Sequence, residues 1–403
     1  MKMTSRVRTL LYGISSVMDM VAGTLLFVVP VRAAQLGASY SLIGALGVAW
    51  GVGVALMTFV IGRFVGPHNA ARLCIIGCVT QALGHLALIL LTTTPESMLL
   101  ILFIIGLTHT TFFVPYQVFY KAADSHGRMP LAASVSIYTF AWSLGMAVGP
   151  LWSGFLMRTA FLSLAGWQLC FVFTILSCFG VGMTVYSLSR RPVRQSVDEK
   201  EHENRRPDFA RIAWLSALCG AFAFTLVRGL FPAGAVRLGI TEDVQGGVIF
   251  TMGFTQAISG LLLGRIVNWM YRPYFLAAGA FLGVCGMACF LIAFLGLIGG
   301  FALILVFYGG AFLFGLYSGS FYFYTGYHCL VHPSKAGFNI AINEAMYAIA
   351  NILALLLGGV IADMFGINIP YLLAGVLIVF FTVLQVRQHA KYPWPKTQLA
   401  VDS

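Results

Sequence analysis

The sequence predicts an all-α integral membrane protein, with twelve transmembrane helices in two six-helix bundles related by a parallel repeat. Three observations predict it. The 403 residues are 59% hydrophobic and 9% charged, with a mean hydropathy of +0.89, against roughly 25% charged residues in a soluble domain. The apolar residues come in continuous runs of about 20, the length that crosses a hydrocarbon core of about 30 Å as a helix, and they do not alternate as barrel strands would. The chain also matches itself at an offset of 202 residues.

The predicted spans are 10–31, 41–62, 73–92, 97–120, 131–157, 166–188, 212–234, 244–264, 274–295, 301–327, 337–362 and 370–387. The first follows Met1-Lys-Met-Thr-Ser-Arg-Val-Arg8, a charged start like that of a secretory signal. Its apolar run is too long for one and lacks a small-residue cleavage site, so it reads as an uncleaved span. The second ends at Gly62-Arg63 and the third starts behind Arg72, charges that mark where the chain leaves lipid. The third carries Gln81 and His85 in its centre, and the fourth carries His109. The fifth holds Pro150, which a membrane helix tolerates when neighbours satisfy the freed carbonyl. After the sixth comes the one long polar stretch, Ser189 to Asp208, with mixed charges and two prolines, as suits a solvated tether. This divides the chain into an N-terminal bundle (1–188), a cytoplasmic linker (189–211) and a C-terminal bundle (212–403). Arg228 interrupts the seventh span, Gly264-Arg265 ends the eighth, the ninth is uniformly apolar, and the tenth is rich in Phe and Tyr. Asparagines recur along the eleventh, and Arg387 closes the twelfth.

Twelve crossings put both termini and the tether on one side. Of the 24 Lys and Arg, twenty fall on that side, three (Arg32, Arg158 and Arg237) fall on the other, and Arg228 lies within a span. Basic residues gather on the cytoplasmic side, which predicts a multi-pass protein of the cell membrane with both termini cytoplasmic. The same asymmetry accounts for the net charge of +11 without a nucleic-acid partner. All eight cysteines lie in or at the ends of spans; they form no external disulfide framework and read as small buried hydrophobes.

The repeat pairs Pro30 with Pro232, Leu36-Gly37 with Leu238-Gly239, Gly44 with Gly246, Gly62-Arg-Phe-Val65 with Gly264-Arg-Ile-Val267, and Gly77 with Gly279. Six helices, a cytoplasmic loop and six more in the same orientation form a parallel repeat, a plan used by transporters that rock about a midplane site. With these residues the whole chain resembles a member of the major facilitator superfamily. That family's loop after the second helix reads Gly-x-Leu-Ala-Asp-Arg-x-Gly-Arg. Here Gly62-Arg-Phe-Val-Gly-Pro-His-Asn-Ala70 keeps the first glycine and has Gly66 in place of the acid. The resemblance implies a charge relay at the inner gate, for which Arg63, Arg72, Asp124 and Arg128 are substitutes, with Gly264 and Arg265 at the repeat-related place. On the fifth helix, Gly145-x-x-x-Gly149-Pro150-x-x-Ser153-Gly154 resembles the family's antiporter motif, with Ser153 for a glycine. It implies efflux. Small residues at this spacing also serve close packing between membrane helices, and both readings stand.

Ionisable groups inside lipid are costly and mark functional sites. Asp19 lies about nine residues, roughly 14 Å, into the first span, and the first helix lines the cavity in the proteins the chain resembles, so Asp19 is the leading candidate for a proton or cation site. A carboxylate paired to a neighbouring helix is the alternative. Glu344 lies beside a row at helical spacing, Asn339, Asn343, Tyr347 and Asn351, which an offset of 205 sets opposite Ser134, Tyr138, Trp142 and Met146. Both rows are expected to face the seam between the bundles, with Glu344 a second candidate for proton exchange. The alternative is polar glue between helices. His109 shares a face with Phe113, Tyr116 and Tyr120 and is a third titrating candidate, or a neutral histidine bonded to a carbonyl. Tyr317, Phe321 and Tyr324 form an aromatic stripe on the tenth helix, read either as cavity wall or as packing. Arg228 could hold an anion, or could snorkel to the outer surface.

The chain carries no phosphate-binding loop, nucleophile motif or metal-ligand spacing, so neither an enzyme, a cofactor nor a metal is expected. The predicted function is secondary active transport of a small organic solute by alternating access, coupled to protons and directed outward. Import of an organic anion or neutral metabolite is the alternative within that class, and a non-transporting receptor on the same scaffold is the alternative outside it. The expected partners are a small-molecule substrate, a coupling proton and the lipid bilayer, and the expected state is a monomer.

Overall fold

The computed structural model describes residues 5–66, 68–123, 131–190 and 208–391; Asp124 and Arg128 of the predicted relay lie outside them. Among the described residues, twelve helices are long and apolar enough to cross a membrane: α1 (Ser5–Gln35), α2 (Tyr40–Ile61), α3 (Ala70–Leu91), α4 (Met98–Ala123), α5 (Leu131–Met157), α6 (Gly166–Ser189), α7 (Ala210–Arg237), α8 (Glu242–Leu263), α9 (Pro273–Phe294), α10 (Gly300–Leu330), α11 (Pro333–Phe365) and α12 (Asn368–Ala390). Several overrun the apolar stretches that predict them. A helix ends at a breaker or cap, not at the edge of the hydrocarbon, and α11 starts on Pro333, which fits the first turn.

Two short elements lie outside the twelve membrane helices. A 3-10 turn spans Val267–Tyr271, and a minimal hairpin, β1 (Ala160–Phe161) with β2 (Leu164–Ala165), joins α5 to α6. Its turn residues Leu162 and Ser163 have φ of 49° and 65°, the left-handed pair that a tight two-residue hairpin requires, here supplied without glycine.

The two bundles repeat one packing plan. α1 packs on α5 as α7 does on α11, α2 on α4 as α8 does on α10, and α3 on α6 as α9 does on α12. The bundles meet along α5 with α8 and α2 with α11, while α1 and α7 face each other at the centre. The apolar windows of α1 and α7 are each 72% enclosed by protein, against 22% for α2, so these two helices form the axis of the molecule. The repeat extends to backbone conformation. Gly37 and Gly239 both adopt positive φ, 81° and 69°. Each ends its helix with the same pair of hydrogen bonds: Ala38 N to Ala33 O and Gly37 N to Ala34 O in one bundle, Ile240 N to Ala235 O and Gly239 N to Val236 O in the other. Glycine reaches this conformation without a Cβ clash.

At the face opposite the chain termini the bundles are bolted together. A Cβ on Gly154 of α5 would lie 2.4 Å from Glu242 O of α8, and one on Gly359 of α11 would lie 2.5 Å from Tyr40 O of α2. Gly246 and Gly44 meet the same crossings from the other side, at Pro150 O and Leu355 O. Polar ties surround these crossings. Asp363 accepts from the backbone N–H groups of Tyr40 (2.9 Å) and Ser41 (2.7 Å) and from the Ser41 hydroxyl. Arg237 donates to Ala38 O at 2.8 Å and stacks 3.7 Å from the Tyr40 ring, Arg158 pairs with Asp243 at 2.8 Å, and Gln35 donates to Glu242 at 2.8 Å. Midway along the other seam, buried Gln256 donates to Ser143 at 2.8 Å.

Candidate functional site

Between the bundles, α1, α2, α4, α5, α7, α10 and α11 enclose a cavity of about 230 Å³. Most of its wall is apolar, from residues such as Leu25, Ile43, Leu46 and Leu355. A few polar groups converge on it, the pattern expected of a small-molecule site.

Asp19, near the middle of α1, is 9% exposed and accepts a hydrogen bond from Ser15, one turn earlier, at 3.2 Å. Its place is set by α5. A Cβ on Gly145 would stand 2.1 Å from Ser16 O and 2.9 Å from Asp19 Cβ, so the first glycine of the α5 motif lets α1 approach at the residue that carries the acid. Ser16 adds a hydrogen bond to Ala141 O at 2.8 Å. Gly149 takes up α1 one turn further along, against Met20 O and Thr24 N, while Gly154 takes up α8. The motif is thus used for close packing on both of its neighbours.

Arg228 reaches the cavity from α7, across from Asp19. Its guanidinium lies 5.2 Å from the Phe224 ring, and its Nη2 has no hydrogen-bond partner among the described residues. Arg228 and Asp19 are within electrostatic reach of each other without being in salt-bridge contact. The side chain therefore turns inward, which sets the snorkelling alternative aside. His109 of α4 lines the wall between Trp50, edge-on at 5.2 Å, and Phe113, at 4.3 Å. The Trp50 indole N–H also lacks a partner among the described residues.

Of the asparagine row, Asn351 lines the cavity and accepts from the Thr225 hydroxyl of α7. Tyr347 shares a 2.6 Å hydrogen bond with Thr325 of α10, and Asn339 and Asn343 are buried, with the Asn339 carbonyl accepting from Trp214 at 3.1 Å. Away from Asn351 the row joins α11 to its own bundle. On the facing row, Trp142 and Met146 line the cavity. Trp142 meets Tyr322 of α10 edge-to-face at 4.8 Å, and by helix position this pair lies on the terminal side of the cavity. Beyond it Glu344 is exposed, within electrostatic reach of Tyr138, Tyr322 and Tyr347, and Tyr138 is 40% exposed.

Three expected wall residues sit elsewhere. The Tyr116 hydroxyl donates to Leu11 O inside the first bundle. Tyr317 lies beside Cys219 at 3.8 Å, and Tyr324 beside His389 at 3.4 Å, inside the second. The tenth-helix stripe at positions i, i+4 and i+7 faces its own bundle core, and Tyr322, about 100° round from Phe321, takes the cavity position. Trp50, Thr225 and Phe224 were also absent from the sequence candidates: none is charged or part of a periodic polar row. At the terminal face Arg63, Arg72 and Arg265 are exposed, while Gly264 is buried against Ser136. The turn after Gly62 is closed by Asn69, which accepts from Gly66 N at 2.8 Å and donates to Phe64 O at 2.7 Å.

The family model of the Major Facilitator Superfamily matches residues 11–329. No curated protein matches the sequence. Among solved structures, the chain is similar to a bacterial homologue of the human lysosomal transporter Spinster in an inward-facing, occupied conformation, with a TM-score of 0.71 and 15% identity over 98% of this chain and 99% of that one. It is similar to a bacterial homologue of the iron transporter ferroportin in an inward-facing state, with a TM-score of 0.70 and 15% identity over 96% and 100%. It is also similar to the nucleoside transporter NupG, with a TM-score of 0.68 and 14% identity over 95% and 98%. At these identities the likeness is one of fold.

Proposed function

From the premise that this chain belongs to the Major Facilitator Superfamily, and so is a membrane transporter and not an enzyme, we propose that it carries a small organic solute by alternating access, coupled to a proton that Asp19 takes up and releases. The observation that carries this reading is the cavity between the bundles, where an acid from α1 and a base from α7 face one space without touching. A site shared by two bundles changes its access when they rock about it. In this reading the face bearing the termini is cytoplasmic, because twenty of the 24 basic residues gather there. The closed seam of Gly154, Gly359 and Asp363 is then the outer gate, and the conformation faces inward. In this reading Glu344, exposed on the cytoplasmic side of Trp142 and Tyr322, passes protons between the cavity and the cell interior.

The test is proton movement in proteoliposomes holding a pH-sensitive dye, challenged with a panel of small organic acids, amines and neutral metabolites. Wild-type protein should move protons with at least one class, and Asp19→Asn should abolish that signal while remaining folded by size exclusion. Solute-driven proton movement undiminished in Asp19→Asn sinks the assignment of Asp19.

A further inference from the structure

Resting on that transport reading, we propose that the cavity takes a small organic monoanion with an apolar body, and that the anion is bound together with one proton on Asp19. The argument begins with unmet hydrogen bonds. Two donors in the cavity, Arg228 Nη2 and the Trp50 indole N–H, have no acceptor among the described residues. Both groups are donors only, and a buried donor without a partner is destabilising, the more so when charged. The Asp19 carboxylate, by contrast, already accepts from Ser15, and the Asn351 amide oxygen from Thr225. The acceptors that the wall does hold, Asp19 and Asn351, make no hydrogen bond to either donor, and a ligand carboxylate supplies one to the guanidinium in a charge-assisted bond. The rest of the wall, with Trp142, Phe224 and Tyr322 among aliphatic side chains, suits a hydrocarbon or aromatic body. At about 230 Å³ the cavity lies below the range of roughly 300–1,000 Å³ typical of drug-sized pockets, so the ligand is small.

Charge balance supplies the coupling. Empty, the cavity holds one negative and one positive group. An anion on Arg228 leaves it with a net negative charge, which is costly in a low-dielectric site, and a proton on Asp19 restores neutrality. The ionisable groups facing Asp19 are Arg228 from α7, Tyr138 from α5 and Tyr116 from α4, with His109 of α4 on the same wall; of these, Arg228 is the group whose charge the ligand cancels. An organic cation would meet Arg228 as a like charge. Anion and proton would therefore cross together with no net charge moved.

The test measures equilibrium binding through the fluorescence of Trp50 and Trp142 in purified protein. The probes share one skeleton: 3-phenylpropionate, its amide and 3-phenylpropylamine, with acetate, butyrate and benzoate to sample size. At least one carboxylate should bind, tightening by up to about tenfold per unit fall in pH above the Asp19 titration, and the amide and amine should bind more weakly. Arg228→Gln should lose the carboxylate. Asp19→Asn, which mimics the protonated acid, should keep it with a flat pH profile. Preference for the amine, binding of no carboxylate, or a pH slope that persists in Asp19→Asn and vanishes in His109→Gln overturns the proposal. A separate flux measurement keeps the two readings apart. Proton-linked binding without flux in vesicles fails the transport reading and leaves the ligand class standing. Flux of the neutral amide alone does the reverse.

Discussion

Gly44, Gly154, Gly246 and Gly359 are the residues on which the closed seam rests, because a methyl at any of these places meets a backbone oxygen of the other bundle that cannot swing away. Overpacking of this kind costs about 1–3 kcal/mol. Gly154→Ala should lower the apparent melting temperature in detergent, whereas Gly180→Ala, with nothing within 4 Å, should leave it unchanged or raise it, since alanine is the better helix former. Equal melting of the two variants would show that the seam does not bear on stability. At this scale the sequence exposed the charges and little else. Asp19 and Arg228 stood out because ionisable groups inside a span are rare and costly. Tyr322 and Trp50 carried no such mark, because an aromatic residue is as ordinary in a membrane core as at a ligand, and only the rotation of its helix tells the two apart. Asp363 escaped notice for a similar reason, since an acid near the end of a span needs no special explanation.

Helix ends decide how strongly the two bundles are held. Asp363, at the last turn of α11, sits on the N-terminus of α2 and satisfies two of its free N–H groups, where the partial positive charge of the helix also favours an anion. Arg158 and Asp243 form an ordinary ion pair whose side chains are 53% and 22% exposed, and exposed pairs contribute about 0–1 kcal/mol. Asp363 is exposed too, but it accepts three hydrogen bonds where the ion pair has one, so the capping carboxylate is the stronger tie. Asp363→Asn keeps the shape and removes the charge, at a cost of about 0.3–1 kcal/mol for an exposed site, which shifts the closed-to-open ratio by a factor of about two to five. A cysteine at Leu46, buried in the cavity wall, should react faster by that factor with an impermeant maleimide added from the opposite face. Arg158→Ala should accelerate it less. If Arg158→Ala has the larger effect, the helix cap is not the principal tie. Helix number, order and approximate ends were legible from apolar runs, because lipid allows few alternatives to a self-bonded helix. The hairpin at Ala160 and the 3-10 turn at Val267 were not legible, since neither is marked by a glycine or proline in its turn.

Across the whole molecule the repeat preserves contacts and lets residue identity drift. The offset of 202 that pairs Gly37 with Gly239 also pairs Ser41 with Asp243, and the offset of 205 between α5 and α11 pairs Gly154 with Gly359 and Arg158 with Asp363. Both ties at the opposite face are therefore one feature built twice with its polarity reversed: an acid on α11 holding the start of α2, and a base just past the end of α5 holding an acid at the start of α8. Carrying the α5 motif forward by 205 residues leads to Ala350, Ala354 and Gly359, so the second seam was present in the sequence as spacing although not as a motif. If the bundles rock as units, fastening either tie must stop the cycle. Ser41→Cys with Asp363→Cys joins two side chains already in contact, and most of the native thiols are buried. Oxidised, this variant should lose solute flux entirely, regain it on reduction, and still bind ligand presented from the terminal face, because the cross-link leaves that side of the cavity untouched. The loss should track the fraction of cross-linked protein on a non-reducing gel. Flux that continues with the bond fully formed would mean that the solute never passes between α2 and α11, and rocking about this cavity would have to be abandoned.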